Sequence, residues 1–316
     1  MKSVTLLSRA KLNSGDHLIT HSAKGLLDFF DFKIKQLVPH GWSPLNKNQI
    51  EIANESDYTI VPGGPCIQNN FNPNIYPLSK IKSKIVIFGS GLNGNVKEKF
   101  NTQTISFFEK CIIYTRGKKT KELLDFNNIN STFSGCSVWF NSGNVVTKFN
   151  HNQDIKNIIF SLSRNTTSQE LSLLSNVNEY FKGSNITCIF NHGYESASSK
   201  AKNYIDNLGI KHISTASCPL KLIDIHKNSD FHIGTRVHSH LLSLSLGIKS
   251  ILLPIDIRGV EQSTSINSSQ HDFLKLNPSN FEEKINGAIK NDFSHITETI
   301  NLKFNELKND PLFNTS

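Results

Sequence analysis

Arg236 and His238 are the pair of side chains in this sequence best suited to chemistry, and they directly follow Gly234-Thr235. The pattern predicts that a strand ends before this turn and that a helix begins at about Arg236. A helix N-terminus attracts anions because its N–H groups are unpaired and its dipole is positive there. Arg236 can add a bidentate contact to a phosphate or carboxylate, and His238 can exchange a proton near neutral pH. We therefore predict an anion site beside an acid or base; the alternative is a surface salt bridge and a helix-end hydrogen bond.

Three more cationic or titratable side chains follow predicted strands: Arg116, Arg164 and His192. Ligands of open α/β sheets bind outside the carboxyl ends of the strands, so these positions are candidates for the same site. Arg116 is predicted to clamp a second anionic group or to form a structural salt bridge. Arg164 is either an anion contact or a solvated loop residue, and His192 is a candidate acid, base or ligand.

Polar and glycine-rich turns follow strands in the first half of the chain. Asn13 and Asp16 lie in Asn13-Ser14-Gly15-Asp16 after the first predicted strand, and Gly64 follows the second. We predict that Asn13, Asp16 and Gly64 contact substrate, while Asp16 is alternatively the N-cap of a helix over 17–30. The turns Gly63-Gly64 and Gly89-Ser90-Gly91 lack the third glycine of a dinucleotide fingerprint, so no nicotinamide cofactor is predicted.

Short strands rich in Val and Ile alternate with helical patterns, which is typical of a parallel α/β fold. The pattern occurs twice and predicts two Rossmann-like domains with mostly parallel sheets, at residues 1–150 and 151–316, joined in the polar stretch 141–153. Phe281, Ile285, Ile289 and Phe293 recur every four residues and predict a terminal helix, assigned to the second domain. The predicted strands are 4–8, 58–61, 85–88, 111–114, 158–162, 187–190, 230–233 and 250–254.

Length and composition bound the kind of protein. A chain of 316 residues suits two α/β domains. No run approaches the roughly 18 apolar residues of a membrane span, and the N-terminus lacks a signal-peptide pattern, so a cytoplasmic location is expected. The net charge of +8 suits an acidic partner, but the lysines are scattered and nucleic acid is not predicted. The five cysteines show no metal-clip spacing. His17 and His21 lie one turn apart on a predicted helix but lack a third ligand nearby, so no metal or other cofactor is predicted.

Residues 234–247 resemble the Arg-x-His helix of the polysaccharide pyruvyl transferase family. The turns at 13–16, 63–64 and 89–91 resemble that family's Asn-x-Gly-Asp, Gly-rich and Gly-x-Gly turns, and Tyr114-Thr115-Arg116-Gly117 is similar to its strand–Arg–helix element. The resemblance spans roughly residues 4 to 260 in the same order. It departs from the family at Gly135-Cys136-Ser137 and at Pro65, which leaves the acceptor side open.

The resemblance implies a GT-B-like fold with the active site in a cleft between two domains, the first on the acceptor side and the second on the donor side. It implies transfer of an enolpyruvyl unit from phosphoenolpyruvate to two sugar hydroxyls, with Arg236 gripping the donor and His238 acting as acid or base. The expected acceptor is a lipid-linked or nucleotide-linked precursor of a cell-surface polysaccharide such as a capsule or exopolysaccharide. Peripheral membrane association is compatible with such an acceptor, and the oligomeric state stays open.

Two alternatives keep the same fold. A GT-B glycosyltransferase would bind a nucleotide sugar, with an acidic residue such as Glu261, in an expected loop after Arg258-Gly259-Val260, facing the ribose. A non-catalytic relative would keep the anion site without turnover.

Overall fold

A computed structural model describes residues 1–39, 43–68, 80–94, 98–143, 149, 154–194, 199–268 and 278–314. The chain forms two compact units. Unit 1 contains Met1–Lys11, Asp16–Val145 and Thr299–Ser316, and unit 2 contains Leu12–Gly15 and Val146–Glu298. These assignments differ from the predicted boundaries in a short N-terminal turn and in the last part of the chain. The predicted junction at 150/151 lies outside the described residues.

Unit 1 is built on a parallel sheet. Its strands are β1 (Ser3–Ser8), β2 (Lys33–Pro39), β3 (Tyr58–Ile67), β4 (Lys84–Leu92), β5 (Ile112–Thr115) and β6 (Thr132–Phe133). They lie in the order β2-β1-β3-β4-β5-β6, and every neighbouring pair is parallel. The accompanying helices are α1 (Ser14–Phe29), α2 (Lys47–Asn54), α3 (Thr102–Phe108), α4 (Lys118–Phe126) and a 3₁₀ helix (Ser137–Gly143).

Unit 2 is a second parallel sheet. Its strands are β7 (Asn157–Ser161), β8 (Asn185–Phe190), β9 (Lys211–Ser214), β10 (Phe231–Gly234) and β11 (Lys249–Leu252). They lie in the order β11-β10-β7-β8-β9, so the strand order changes direction between β7 and β10. Loops diverge at such a switch point and leave a crevice at the carboxyl ends of the strands. The helices that follow are α5 (Ser168–Tyr180), α6 (Ser199–Asn207), α7 (Pro219–Lys227), α8 (Val237–Ser245), α9 (Ile257–Ser265), α10 (Pro278–Lys290) and α11 (Ser294–Asn309).

The two C-terminal helices contribute to different cores. Phe281 and Ile285 of α10 are buried in the apolar cluster of unit 2, together with Phe160 and Ile233 of the sheet. The later residue Phe304 of α11 belongs to unit 1, where its ring lies 5.7 Å from that of Phe140. The terminal helical region assigned to the second domain from the sequence is thus divided between the units. The four-residue spacing identified an apolar face correctly but carried no information about what that face contacts.

Candidate active site

Three loops meet at the carboxyl edge of the unit 2 sheet because β10, β7 and β8 are neighbours. Arg164 follows β7, His192 follows β8, and Thr235-Arg236 follow β10. The three candidate side chains therefore come from separate parts of the sequence and share one edge. Arg236 is half-buried and Arg164 is exposed, so the edge is open to a solvent-borne ligand.

Arg236 is held by the ends of two neighbouring strands. It is the N-cap of α8, with an extended backbone at φ −88°. Its Nε donates to the carbonyl oxygen of Leu162 at 2.6 Å, and its Nη2 donates to Nδ1 of His192 at 3.1 Å. Both bonds lie in the plane of one guanidinium, so its orientation is fixed before any ligand binds.

The pKa of His192 reflects the positive charge around its ring. Burial lowers its pKa to about 4, with further lowering by three arginine charges. These are Arg236, Arg164 and Arg258, in decreasing order of effect. The imidazole is therefore neutral at pH 7, and since Nδ1 accepts from Arg236 its proton lies on Nε2. A neutral donor surrounded by arginines is suited to bind an anion.

Arg258 is a residue of this site that was not selected from the sequence. It lies in the first turn of α9, after β11, and its Nε donates to Asp256 at 3.1 Å. The same rule that selected Arg164 and His192, position after a parallel strand, would have found it. The expected loop around it is wrong: residues 257–265 form α9, and Glu261 in that helix is completely buried.

Glu170 ties the Arg164 loop to the Arg236 turn. Its carboxylate is buried and accepts hydrogen bonds from Ser163 N at 2.8 Å and from Thr235 Oγ1 at 3.1 Å. It also completes a capping box with Thr167 at the start of α5. A buried carboxylate that accepts several hydrogen bonds stiffens its surroundings. The Thr-x-x-Glu spacing of this box was a visible signal in the sequence.

The predicted Gly234-Thr235 turn fits closely against β7. The N–H of Thr235 donates to the carbonyl oxygen of Ser161 at 2.9 Å. Gly234 has φ +154°, and a Cβ there would lie 2.3 Å from that same oxygen. Glycine is therefore required for the β10 end to approach β7, and this approach sets the position of Arg236.

His238 lies one residue into α8 and packs against an N-terminal turn. Asn13 Oδ1 accepts the N–H of Gly15 at 3.1 Å, and Ser14 N donates to the carbonyl oxygen of Asn191 at 2.9 Å. A Cβ on Gly15 would lie only 2.8 Å from Nδ1 of His238. The residues 12–15 thus belong to unit 2, although the sequence placed them in the first domain.

Gly15→Ala is expected to displace the His238 ring and to lower kcat at least tenfold, since the added methyl group has no room beside the imidazole. The comparison is made by steady-state assay at matched thermal stability. Gly287→Ala is the control, because a Cβ on this α10 glycine meets no atom within 4 Å. Equal activity of the two variants would contradict the close packing of His238 on Gly15.

Arg116, Asp16 and Gly64 belong to unit 1. Arg116 is almost fully buried at the end of β5, where its N–H donates to Ser90 O at 2.8 Å. Its guanidinium covers Gly91, whose Cβ would lie 2.6 Å from Nη2. Gly64 has φ +87° and lies near a second buried arginine, Arg9, which the sequence did not single out.

Asp16 is not the N-cap of the first helix. The helix α1 begins at Ser14, which places Asp16 in its first turn. Asn13 Oδ1 instead accepts the N–H of Gly15, as a capping side chain does. An acidic residue in a first turn still interacts favourably with the positive end of the helix dipole.

Within the described ranges, no group of three or more His, Cys, Asp or Glu side chains is arranged to hold a metal ion. Among the helices described, none is both long and apolar enough to cross a bilayer.

Comparison with known protein families gives a match over most of the chain. The family model described as polysaccharide pyruvyl transferase matches residues 13–257. None of the curated proteins matches the sequence.

Solved structures with similar folds are distant in sequence. MnaA of S. aureus, in a co-structure with UDP, has a TM-score of 0.58 at 14% identity, covering 94% of this chain and 91% of that one. UDP-GlcNAc 2-epimerase of Methanocaldococcus jannaschii, in complex with UDP-GlcNAc and UDP, has a TM-score of 0.53 at 10% identity, covering 95% and 98%. The lipopolysaccharide outer core galactosyltransferase WaaB has a TM-score of 0.51 at 14% identity, covering 97% and 98%. These similarities confirm the predicted fold class, two Rossmann-like α/β domains of the GT-B type.

Proposed function

The chain belongs to the polysaccharide pyruvyl transferase family and is a transferase, and we propose that it moves an enolpyruvyl unit from phosphoenolpyruvate to two hydroxyls of a sugar. The product is a pyruvate ketal, and phosphate is released. The single observation that carries this proposal is the geometry of Arg236 in unit 2, whose guanidinium is fixed by Leu162 O and His192 Nδ1 at the N-terminus of α8, with Arg164 following the neighbouring strand β7.

The positive charge at the carboxyl edge of the unit 2 sheet suits phosphoenolpyruvate as the donor. Phosphoenolpyruvate carries a phosphate and a carboxylate within a few atoms of each other, so it needs several fixed cations at close range. Arg236 supplies a guanidinium oriented by two protein hydrogen bonds, and Arg164 and Arg258 supply exposed ones. The neutral His192 offers its Nε2–H as an additional donor. Gly234 and Thr235 place the N-terminus of α8 against the same anion.

The chemistry requires one proton transfer to carbon. The first sugar hydroxyl adds to C2 of phosphoenolpyruvate while C3 gains a proton, which converts the methylene to a methyl group. The C2–O bond to phosphate then breaks, and the second hydroxyl adds to C2. One hydroxyl proton ends on C3 and the other on the released phosphate. We assign the transfer between hydroxyl and C3 to His238, the second residue of α8 and two positions after its N-cap Arg236.

The acceptor is assigned to unit 1 by the same proposal. Arg116, Asp16 and Gly64 lie in that unit, and Asn13 contributes from the turn beside His238. The acceptor would be a lipid-linked or nucleotide-linked sugar of a cell-surface polysaccharide, used on the cytoplasmic side with peripheral membrane association. The buried Arg116 and Arg9 suit a diphosphate-linked acceptor.

A nucleotide-sugar glycosyltransferase is the main rival. The UDP-bound neighbours share the fold, and that alternative relied on Glu261 to contact a ribose. Glu261 has no exposed surface in α9, which speaks against this contact. The burial of this one carboxylate thus favours the pyruvyl donor.

The test combines binding and turnover. Purified protein is titrated calorimetrically with phosphoenolpyruvate and with UDP, and phosphate release is followed with phosphoenolpyruvate plus a panel of lipid-linked and nucleotide-linked sugars. We expect phosphoenolpyruvate to bind and to release phosphate only when an acceptor is present. Tight UDP binding that phosphoenolpyruvate does not compete with would identify the glycosyltransferase instead. Phosphoenolpyruvate binding without product for any acceptor would identify a non-catalytic relative.

A further inference from the structure

A row of buried side chains extends from the Arg236 turn into the interior of unit 2. Ser161 Oγ lies 2.8 Å from His232 Nε2, and His232 Nδ1 lies 2.6 Å from Ser250 Oγ. Ser250 Oγ also lies 2.6 Å from His240 Nδ1, and His240 Nε2 lies 2.9 Å from Ser268 Oγ. We call these five residues the Ser–His chain. Four of them have no exposed surface, and Ser268 is 7% exposed.

The Ser–His chain joins the candidate site through the backbone of Arg236. The Arg236 N–H donates to Ser161 Oγ at 3.3 Å. An amide can only donate, so Ser161 Oγ accepts this bond and keeps its own proton for another partner. Among the described residues that partner is His232 Nε2. His232 Nε2 must therefore accept, and the proton of this ring lies on Nδ1.

The same direction of donation continues to Ser268 at the far end of the Ser–His chain. His232 Nδ1–H donates to Ser250 Oγ, and Ser250 donates its own proton to His240 Nδ1. His240 then carries its proton on Nε2 and donates it to Ser268 Oγ. In this direction each imidazole and each intervening hydroxyl donates once and accepts once. The reverse direction would leave the Ser161 proton without an acceptor in a buried site, which is unfavourable.

Both imidazoles can fill this role because they are neutral. Burial lowers the pKa of His240 to about 3 and lowers that of His232, to which His226 and His240 also contribute. A neutral imidazole has one donor and one acceptor, which matches the two serine neighbours of each ring.

We propose that the Ser–His chain is a positioning element of the donor site, in which Ser161 and His232 hold the Arg236 turn against β7 through the N–H of Arg236 and so keep its guanidinium in the anion-binding orientation. Ser161 and His232 are positioning residues, since they act through Arg236. The identity of the anion as phosphoenolpyruvate rests on the proposed function, whereas the direction of the chain does not.

The first test needs no substitution. The ¹⁵N and ¹H shifts of histidine rings distinguish the Nδ1–H from the Nε2–H tautomer. We expect Nδ1–H for His232 and Nε2–H for His240 in the wild-type protein at pH 7. The opposite pair of tautomers would overturn the proposal, whatever the enzyme does with phosphoenolpyruvate.

The second test uses affinity for inorganic phosphate, measured by calorimetry. Ser161→Ala removes the acceptor of the Arg236 N–H and is expected to weaken phosphate binding about tenfold. His226→Gln is the matched control: this buried ring lies 5.5 Å from His232 but bonds Ser243, outside the Ser–His chain. We expect the control to bind phosphate within about twofold of wild type. If phosphate binding were weakened equally in both variants, the Ser–His chain would act only through ordinary core packing, and the proposal would be overturned.

The outcomes separate this inference from the proposed function. If Ser161→Ala weakens phosphate binding and the tautomers are as expected, the positioning role holds even when phosphoenolpyruvate gives no turnover. If phosphoenolpyruvate is turned over but the tautomers are reversed, the reaction stands and the positioning role fails. Should Ser161→Ala not fold, the wild-type tautomers alone decide the matter.

Discussion

Arg236→Lys is expected to lower kcat/KM for phosphoenolpyruvate by about a thousandfold, close to the effect of Arg236→Ala. The guanidinium uses Nε for Leu162 O and Nη2 for His192 Nδ1, so its fork is already oriented when a ligand arrives. A lysine ammonium keeps the charge but cannot reach both acceptors and still present a planar pair of donors. The loss of kcat/KM should therefore depend on the geometry of the donor groups more than on the positive charge.

Two readouts make this expectation specific. Phosphate release gives the rate, and an NMR titration of His192 gives a signal independent of turnover. Arg236 is the largest charge contribution lowering the pKa of His192, so Arg236→Ala should raise that pKa from about 4. Lys211→Ala is the control, because it removes one positive charge from an exposed position at the first residue of β9, which lies at the opposite, amino edge of the same sheet. Unchanged phosphate release by Arg236→Lys would contradict the assigned role.

Sequence patterns predicted the buried strands better than the edge strands. The prediction 158–162 lies one residue from β7, and the prediction 85–88 falls within β4. The strands β2, β6 and β9 were missed, and all three lie at sheet edges. In β2 only Val38 is buried, and β9 has no fully buried residue. An edge strand that faces solvent has no apolar run or clean alternation to detect.

The candidate site could be predicted in part because one topological rule selects it. Arg236, His192 and Arg164 each follow a parallel strand, and neighbouring strands bring their ends together. Placing Asn13 beside His238 required something else. Its turn is held by tertiary bonds such as Ser14 N to Asn191 O, which join distant parts of the sequence. No local pattern encodes such a partner, so spacing alone could not assign this turn to unit 2.

The Ser–His chain was beyond sequence analysis for a related reason. His232 and His240 lie in β10 and α8, and their hydroxyl partners come from β7, β11 and the segment after α9. From the sequence alone, a histidine in an apolar strand is only a polar residue that interrupts the apolar pattern. Its function depends on which hydroxyls the fold places at hydrogen-bond distance.

Acidification from pH 7 to pH 5 is expected to destabilise unit 2 by at least about 4 kcal/mol, because the buried imidazoles of His226 and His240 contribute about 2 kcal/mol each and that of His232 acts in the same direction. Burial lowers the pKa of His226 and of His240 to about 3, and the pKa of His232 is also lowered. A histidine in the unfolded chain has a pKa near 6.5. Below that pH the three imidazoles bind protons in the unfolded state but stay neutral in the folded state. Stability is therefore complete above about pH 6.5 and declines as the pH falls toward 3.

Hydrogen exchange can measure this in each unit separately. Protection factors of β10 and β11, corrected for the intrinsic exchange rate at each pH, should fall far more between pH 7 and pH 5 than those of β3 and β4. Unit 1 is expected to respond weakly, since its half-buried His21 has a pKa lowered by burial and by Lys24 but is not fully enclosed. His226→Gln removes one of the three groups, so whatever it does to stability at pH 7, the loss on acidification should shrink by about 2 kcal/mol. An unchanged pH slope in this variant, or equal slopes in the two units, would mean that the buried rings accept protons in the folded state. In that case the fixed tautomers of the Ser–His chain could not persist at pH 5, and phosphate binding would lose its dependence on Ser161 there.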